Sequence, residues 1–208
     1  MSKSSIQKIF AVIIFCLTSN AFCESNFVRV GIGNNATIEI PKNWQILSSN
    51  QKTTIDTSVE ANKNNTAQSE FKFAANFYNE NGKIIAVVNT RFYPNNKLTQ
   101  SDTKNLAGES LVGLDEEIKK AIVTGTQKMG QKLIEWKRTQ VQNINGMNVI
   151  KYGKLTSNPP NGDLYYEYQY RFWNAPNTFT LTIGYKKEHE VFLEKITKYM
   201  AESVKITN

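Results

Sequence analysis

Two Asn-Gly steps, Asn81-Gly82 and Asn145-Gly146, each fall between runs in which apolar and polar residues alternate. That arrangement constrains the chain more than any other feature. Asn and Gly tolerate the left-handed backbone of a tight hairpin turn, and such turns match the twist of the strands they join. Ahead of the first step, Phe71, Phe73, Ala75 and Phe77 alternate with Lys72, Ala74 and Asn76. A four-residue connection, Glu80-Asn81-Gly82-Lys83, leads into a return strand from Ile84 to Tyr93. On that strand Ile84, Ala86, Val88, Thr90 and Phe92 share the face expected to be core. Ile85, Val87, Asn89 and Arg91 share the other. The second step joins a strand over Leu133–Ile144 to one in which Val149, Lys151 and Gly153 alternate with Ile150 and Tyr152. Hairpins impose antiparallel pairing, so a parallel doubly wound sheet is excluded.

The rest of the chain agrees. Val28, Val30 and Ile32 mark a short strand, Asn34-Asn35 a turn, and Ile38 and Ile40 one face of a second strand that stops at Pro41. Trp44 anchors the corner that follows. A helix is expected over Gln51–Ala61, with Ile55 and Val59 inward, and a polar loop over Asn62–Ser69. Thr99 with Asp102 approximates a capping box, and Leu106, Leu111, Leu114, Ile118 and Ile122 recur at helical spacings. Gly108 and Gly113 leave room for two helices there, and Gly125 and Gly130 mark the exit. Beyond the Asn158–Gly162 loop, Leu164, Tyr166, Tyr168, Tyr170 and Phe172 form one face of a strand. Tyr165, Glu167, Gln169, Arg171 and Trp173 form the other. Phe179, Leu181 and Ile183 alternate with threonines, and Phe192, Ile196, Met200 and Val204 give a closing helix an apolar stripe. The fold class expected is α+β, an antiparallel sheet sandwiched by helices.

Residues 1–23 read as a secretory signal peptide: Lys3 and Lys8, an apolar run from Phe10 to Leu17, then a polar, small-residue stretch. The run is shorter than the roughly 20 residues of a membrane-spanning helix. Cleavage fits after either Ala21 or Cys23. Asn20 and Phe22 stand where a lipoprotein box needs a Leu-like and a small residue, which argues against lipidation of Cys23. Both cysteines, Cys16 and Cys23, lie in this segment. Cleavage after Cys23 leaves residues 24–208 as one thiol-free domain, held by its core alone. Cleavage after Ala21 leaves Cys23 as a lone thiol able to cross-link two copies. The address is then periplasmic or secreted. The net charge of +7 is spread along the chain and suits a solvated surface. With that address it argues against nucleic acid as a partner. No later segment is apolar enough to span a membrane.

Little here points to catalysis. His189 is the one histidine and builds neither a triad nor a multi-histidine metal site. Gly108-Glu109-Ser110 misses the nucleophile elbow, and Gly31-Ile32-Gly33 lacks the third glycine of a dinucleotide loop. Asp115, Glu116 and Glu117 are successive in a helix and diverge by about 100° each, so they do not chelate together. No catalytic residue, metal ligand or cofactor is therefore expected. What remains is aromatic: Trp44, Trp136, Tyr165 and Trp173, with Glu167 and Arg171 beside them, form the candidate surface for a ligand or partner.

Ile38-Glu39-Ile40-Pro41-Lys42-Asn43-Trp44 resembles the strand and Pro-x-x-Trp corner with which PsbP-like proteins open. The resemblance continues through Asn145-Gly146, the Tyr165–Tyr170 strand, the Thr-alternating strand Thr178–Ile183 and Ser203-Val204, covering most of residues 27–208. More narrowly, the chain is similar to small exported bacterial proteins with a Pro-Lys-Asn-Trp corner. The resemblance implies an α/β/α sandwich around an antiparallel sheet and no shared enzyme activity. Relatives such as the photosystem II extrinsic subunit are accessory proteins. The function expected is that of a non-catalytic interaction module whose partner is a protein or envelope component. The alternative is a small-molecule carrier or a carboxylate-based hydrolase acting on envelope material.

Overall fold

The computed structural model describes residues 26–53, 69–159, 161–176 and 178–207. The signal segment and both cysteines lie outside the described residues. So does most of the expected Gln51–Ala61 helix, of which 51–53 are helical.

The strands are antiparallel throughout, and they divide into two sheets rather than one. The larger is seven-stranded, in the order β3 (Gln45–Ile46), β4 (Glu70–Tyr78), β5 (Ile84–Phe92), β9 (Phe179–Lys186), β8 (Asp163–Phe172), β7 (Met147–Asn158), β6 (Lys132–Ile144). The smaller joins β1 (Phe27–Gly33), β2 (Ala36–Pro41) and β10 (Lys205–Ile206). The turns follow their chemistry. Asn145 and Gly146 both take positive φ, 50° and 83°, as a two-residue primed hairpin requires. At the first hairpin only Gly82 does, at 69°. There Asn79 organises a longer loop, its Oδ1 accepting from the backbone N–H groups of Asn81 and Lys83.

Thr99 caps α1 (Gln100–Lys104) in a full capping box with Asp102, and α2 (Gly108–Lys128) follows after a short break. The two expected helices are thus separate, and Gly125 lies within α2 rather than beyond it. After one 3-10 turn (Lys187–His189), α3 (Glu190–Glu202) closes the chain.

The core lies between one face of the large sheet and the layer made by the small sheet and α3. Ile38 and Ile40 of β2, Val88 and Phe92 of β5, Phe172 of β8, Leu181 and Ile183 of β9, and Leu193 and Met200 of α3 are all in it. Phe92, Phe172 and Phe179 stack there, with ring centroids 5.1 and 4.5 Å apart. Burying apolar area at about 25 cal/mol per Å² is what stabilises this layer. A polar staple closes its end. Arg29 pairs with Glu39 and donates to the carbonyl of Ser203 at 3.1 Å, and Tyr199 donates to Glu39. The bond from Tyr199 is the main reason the Glu39 carboxyl is held below its usual pKa, with Arg29 adding to it. Asn145 donates to the carbonyls of Glu202 and Val204 at 2.8 and 2.7 Å, so the hairpin-turn residue also ties down the end of α3.

Three expectations need correcting. Phe71 does not share a face with Phe73, because a register shift between them turns Phe71 toward Arg91, whose guanidinium lies 5.0 Å from its ring centroid. Of the expected stripe on α3, Met200 and Val204 are in the core and Ile196 packs against it, but Phe192 does not; Leu193, Thr197 and Ala201 complete the inward face. Phe192 is 57% exposed and the neighbouring Val191 92%; Phe192 reaches only the rim of the sheet at Phe77. Finally, Trp44 belongs to the core: it is 5% exposed and its ring stacks parallel to Phe77 at 6.0 Å.

Candidate site on the polar face of the large sheet

Residues two apart on a strand share a face, and the register aligns those faces into rows across the sheet. On the face away from the core one row reads Trp136, Lys154, Glu167, Gly184, Val87 from β6 to β5. The next reads Tyr152, Gln169, Thr182, Asn89, and the next Ile150, Arg171, Thr180, Arg91. To the other side lies Thr156, Tyr165, Lys186. The strands that supply aromatic and aliphatic side chains to the core therefore present amides, hydroxyls and charges here.

These side chains form one connected network. Tyr152 donates to Gln169 Oε1, and Gln169 Nε2 donates to Glu167 Oε1 at 3.0 Å. Lys154 Nζ lies 3.3 Å from the same carboxylate oxygen. Arg171 donates to the Tyr152 hydroxyl at 2.9 Å and lies 5.1 Å from its ring centroid. Trp136 packs against the same ring, with centroids 5.5 Å apart. Burial pushes the Tyr152 phenol above its usual pKa, so it remains a neutral donor at any physiological pH. Each pair is a direct cross-strand neighbour or one row removed, which is how a sheet stabilises polar side chains.

Among the described residues, helical cover on this face is confined to the β6 and β7 side. Asp115 of α2 accepts from Trp136 Nε1 at 3.0 Å and from the Thr139 N–H at 2.6 Å, both through Oδ1. Burial works against that carboxylate. The bonds from Thr139 and Trp136 and the charge of Arg138 outweigh it and hold the Asp115 pKa below its usual value. Asp115 is thus a helix-to-sheet fastener. From α1, Gln100 bonds both to Asn148 and to the Trp173 carbonyl, at 2.7–3.2 Å. Toward β8, β9 and β5 the side chains of Tyr165, Glu167, Gln169, Arg171, Thr182 and Asn89 are only half-buried.

A cavity of about 250 Å³ opens over Gly184 on this face. Ile84, Ile85, Val87 and Met129 are among its apolar lining; Lys154, Thr156, Asn158, Tyr165 and Glu167 are among the polar. Asn158 Oδ1 is shut off from solvent and accepts from no group among the described residues.

Of the residues singled out in the sequence, the structure gathers Trp136, Tyr165, Glu167 and Arg171 on this face. Trp173 stands half-buried just past the end of β8. Trp44 lies in the core on the opposite side. Sequence reasoning does not single out Tyr152, Lys154, Gln169 or Asn158. Tyr152 and Lys154 carry a signal in their alternation along β7, but only the register with β8 brings them to Glu167 and Gln169. Among the described residues no three His, Cys, Asp or Glu side chains converge as a metal site.

No family model matches the chain, and no curated protein matches it by sequence. Among solved structures it is similar to cyanobacterial PsbP (CyanoP) from Synechocystis, with a TM-score of 0.52 at 11% identity over 88% of this chain and 93% of that one. It is also similar to LpqN, involved in cell envelope biogenesis of Mycobacterium tuberculosis, with a TM-score of 0.46 at 14% identity over 88% and 91%. The likeness to CyanoP bears out the expected architecture: the chain has a PsbP-like α+β fold.

Proposed function

We propose that the chain is an exported, non-catalytic accessory module that binds a protein or envelope component through the polar face of its large sheet. Residues 1–23 are then a signal peptide and 24–208 the working domain. The observation that carries this reading is the Lys154–Glu167–Gln169–Tyr152–Arg171 network, pre-organised on a face whose helical cover, among the described residues, stops at β6 and β7. Ordered polar side chains beside half-buried aromatic rings lose little entropy on binding, which favours recognition. General acid–base hydrolysis by carboxylates needs a second carboxyl near the first. Glu167 is the one carboxylate in the network, its Oε1 shared by Lys154 and Gln169, so the binding reading is the stronger.

Proximity labelling in the envelope fraction tests this. The full chain is expected to mark a reproducible set of neighbours that Arg171→Ala loses and Phe192→Ser, on the opposite side, keeps. Identical sets from both variants, or no reproducible set at all, would sink the proposal. The same preparation gives the mature mass, expected to correspond to a chain beginning at Phe22 or Glu24.

A second reading, a small-molecule carrier, is favoured by one observation. The cavity over Gly184 brings apolar walls and several polar groups together, as ligand pockets do.

A further inference from the structure

We propose that the β6 and β7 margin of the core side of the large sheet, beside α3, binds a phosphate group held by Lys151 together with Lys137 and Lys198. This site lies on the other side of the sheet from the Glu167 network and does not rest on that network binding a partner.

Lys137 of β6 and Lys151 of β7 share the core side of the sheet. Lys137 stands in the row of Gly153, Tyr168 and Ile183, and Lys151 in the row of Tyr170 and Leu181. Both lysines are half-buried. Gly153 makes their arrangement possible. A Cβ there would lie 2.8 Å from the Tyr168 ring and 3.4 Å from Lys137 Cβ, so the ring lies down over β7 only because that atom is missing. Both ammoniums then reach it: Lys137 Nζ is 5.7 Å from the ring centroid and Lys151 Nζ 5.4 Å. Lys137 also stands 4.7 Å from the Tyr166 ring, and Lys151 5.4 Å from that of Tyr170.

Lys151 lacks what other enclosed lysines of this chain have. Lys154 has Glu167 at 3.3 Å, Lys186 has Asp163 at 2.9 Å, and Lys52 has the Lys72 carbonyl at 3.2 Å. Among the described residues, the partners of the Lys151 ammonium are the two tyrosine rings alone, with no oxygen to accept from it. An ammonium carries three donors, and ring faces attract it without replacing an acceptor oxygen. The group is not shut away from solvent, so a ligand can reach it.

Its neighbours sharpen the need. The carboxylates nearest Lys137 and Lys198, those of Glu135 and Glu202, are each 3.9 Å away, beyond hydrogen-bonding distance. Burial pulls the Lys151 pKa down, and so do the charges of Lys198 and Lys137, against the opposing charges of Glu202 and Glu194 on α3. An oxyanion in contact supplies the missing acceptor and offsets the repulsion between the lysines. Phosphate suits the arrangement better than a carboxylate. Its several oxygens can meet ammoniums that arrive from two strands and a helix, and lysine binds phosphate as a point charge.

The test is a titration of the signal-free chain with inorganic phosphate at constant ionic strength, read by the NMR shifts of the Gly153 and Tyr168 amides. A saturable shift is expected. Lys151→Met should weaken it about tenfold or more, the worth of a charge-assisted hydrogen bond, and Lys151→Arg should restore most of it. Glu202→Gln should tighten it. Lys120→Met, which removes the same charge from α2 on the other side of the sheet, should leave it unchanged. Vesicles of phosphatidylcholine, with and without phosphatidic acid, separate the two sources of the group. Sedimentation with the phosphatidic acid vesicles alone, lost in Lys151→Met, makes the ligand a lipid headgroup; a response to phosphate without sedimentation makes it a free phosphate compound. No saturable response to either probe, undiminished binding by Lys151→Met, or an equal loss in Lys120→Met would overturn the site.

Discussion

The two faces of the seven-stranded sheet are made by the same strands and do opposite work. On β8, Phe172 is fully buried against Phe179, while its neighbour Arg171 reaches across to Tyr152 on the other side. On β9, Leu181 and Ile183 are core while Thr180, Thr182 and Gly184 face away. The core face is covered by the small sheet and α3 and is cemented by apolar area. Among the described residues the polar face is covered by helix only near β6 and β7, and it is ordered by hydrogen bonds and stacked rings. A side chain on the first face is therefore worth its full transfer and cavity free energy. On the second it is worth less for stability and more for what it can bind.

Substitutions sharpen this contrast. Phe172→Ala should cost about 3–5 kcal/mol of unfolding free energy in a urea titration, because a fully buried ring leaves a cavity. A loss under about 1 kcal/mol would contradict the core assignment. Gly153→Ala should cost about 1–3 kcal/mol, since the new methyl would lie 2.8 Å from the Tyr168 ring, and chemical denaturation would show it. On the polar face, Tyr152→Phe should cost about 1–2 kcal/mol, because it leaves Gln169 and Arg171 short of a partner. A value as large as that for Phe172 would erase the difference between the faces.

Acid sensitivity should come from the staple at the end of the core. The folded chain holds the Glu39 carboxyl below its usual pKa, mainly through the Tyr199 hydroxyl. Glu39 therefore contributes stability above the ordinary carboxylate pKa and loses it as pH falls through the lowered folded value. Thermal midpoints should fall in that acid window, and Glu39→Gln should flatten part of the fall. An unchanged slope would show that the bond carries no linkage. The smallest effect belongs to Phe192→Ala, about 0.5 kcal/mol, because that ring is mostly exposed.

The sequence revealed most where local chemistry decides. The hairpins at Asn81-Gly82 and Asn145-Gly146, the capping box at Thr99 and the two faces of β8 follow from turn residues and alternation. It revealed less where a long-range partner decides. Phe71 continues the alternation of Phe73 and Ala75, yet a register shift against β5 turns it to the other face. In α3, Phe192 keeps helical spacing with Met200, but the position of β2 and β9 selects the Leu193 side instead. The site was half legible for the same reason. Glu167 and Arg171 share a strand face and could be found together. Lys154, Tyr152 and Asn158 come from β7, whose register with β8 no local pattern specifies. Trp44 shows the converse: an anchoring aromatic reads alike whether it packs inward or faces a partner.

The central claim is that the polar face, and not another surface, is where this chain meets its partner. Photo-crosslinking from single positions in the full chain tests it most directly, with a photoreactive residue at Tyr165, Gln169 or Trp173 and controls at Val28 and Val191. Discrete adducts from the first three and none from the controls are the expected result. Adducts from Val28 or Val191 with silence from the polar face would contradict it.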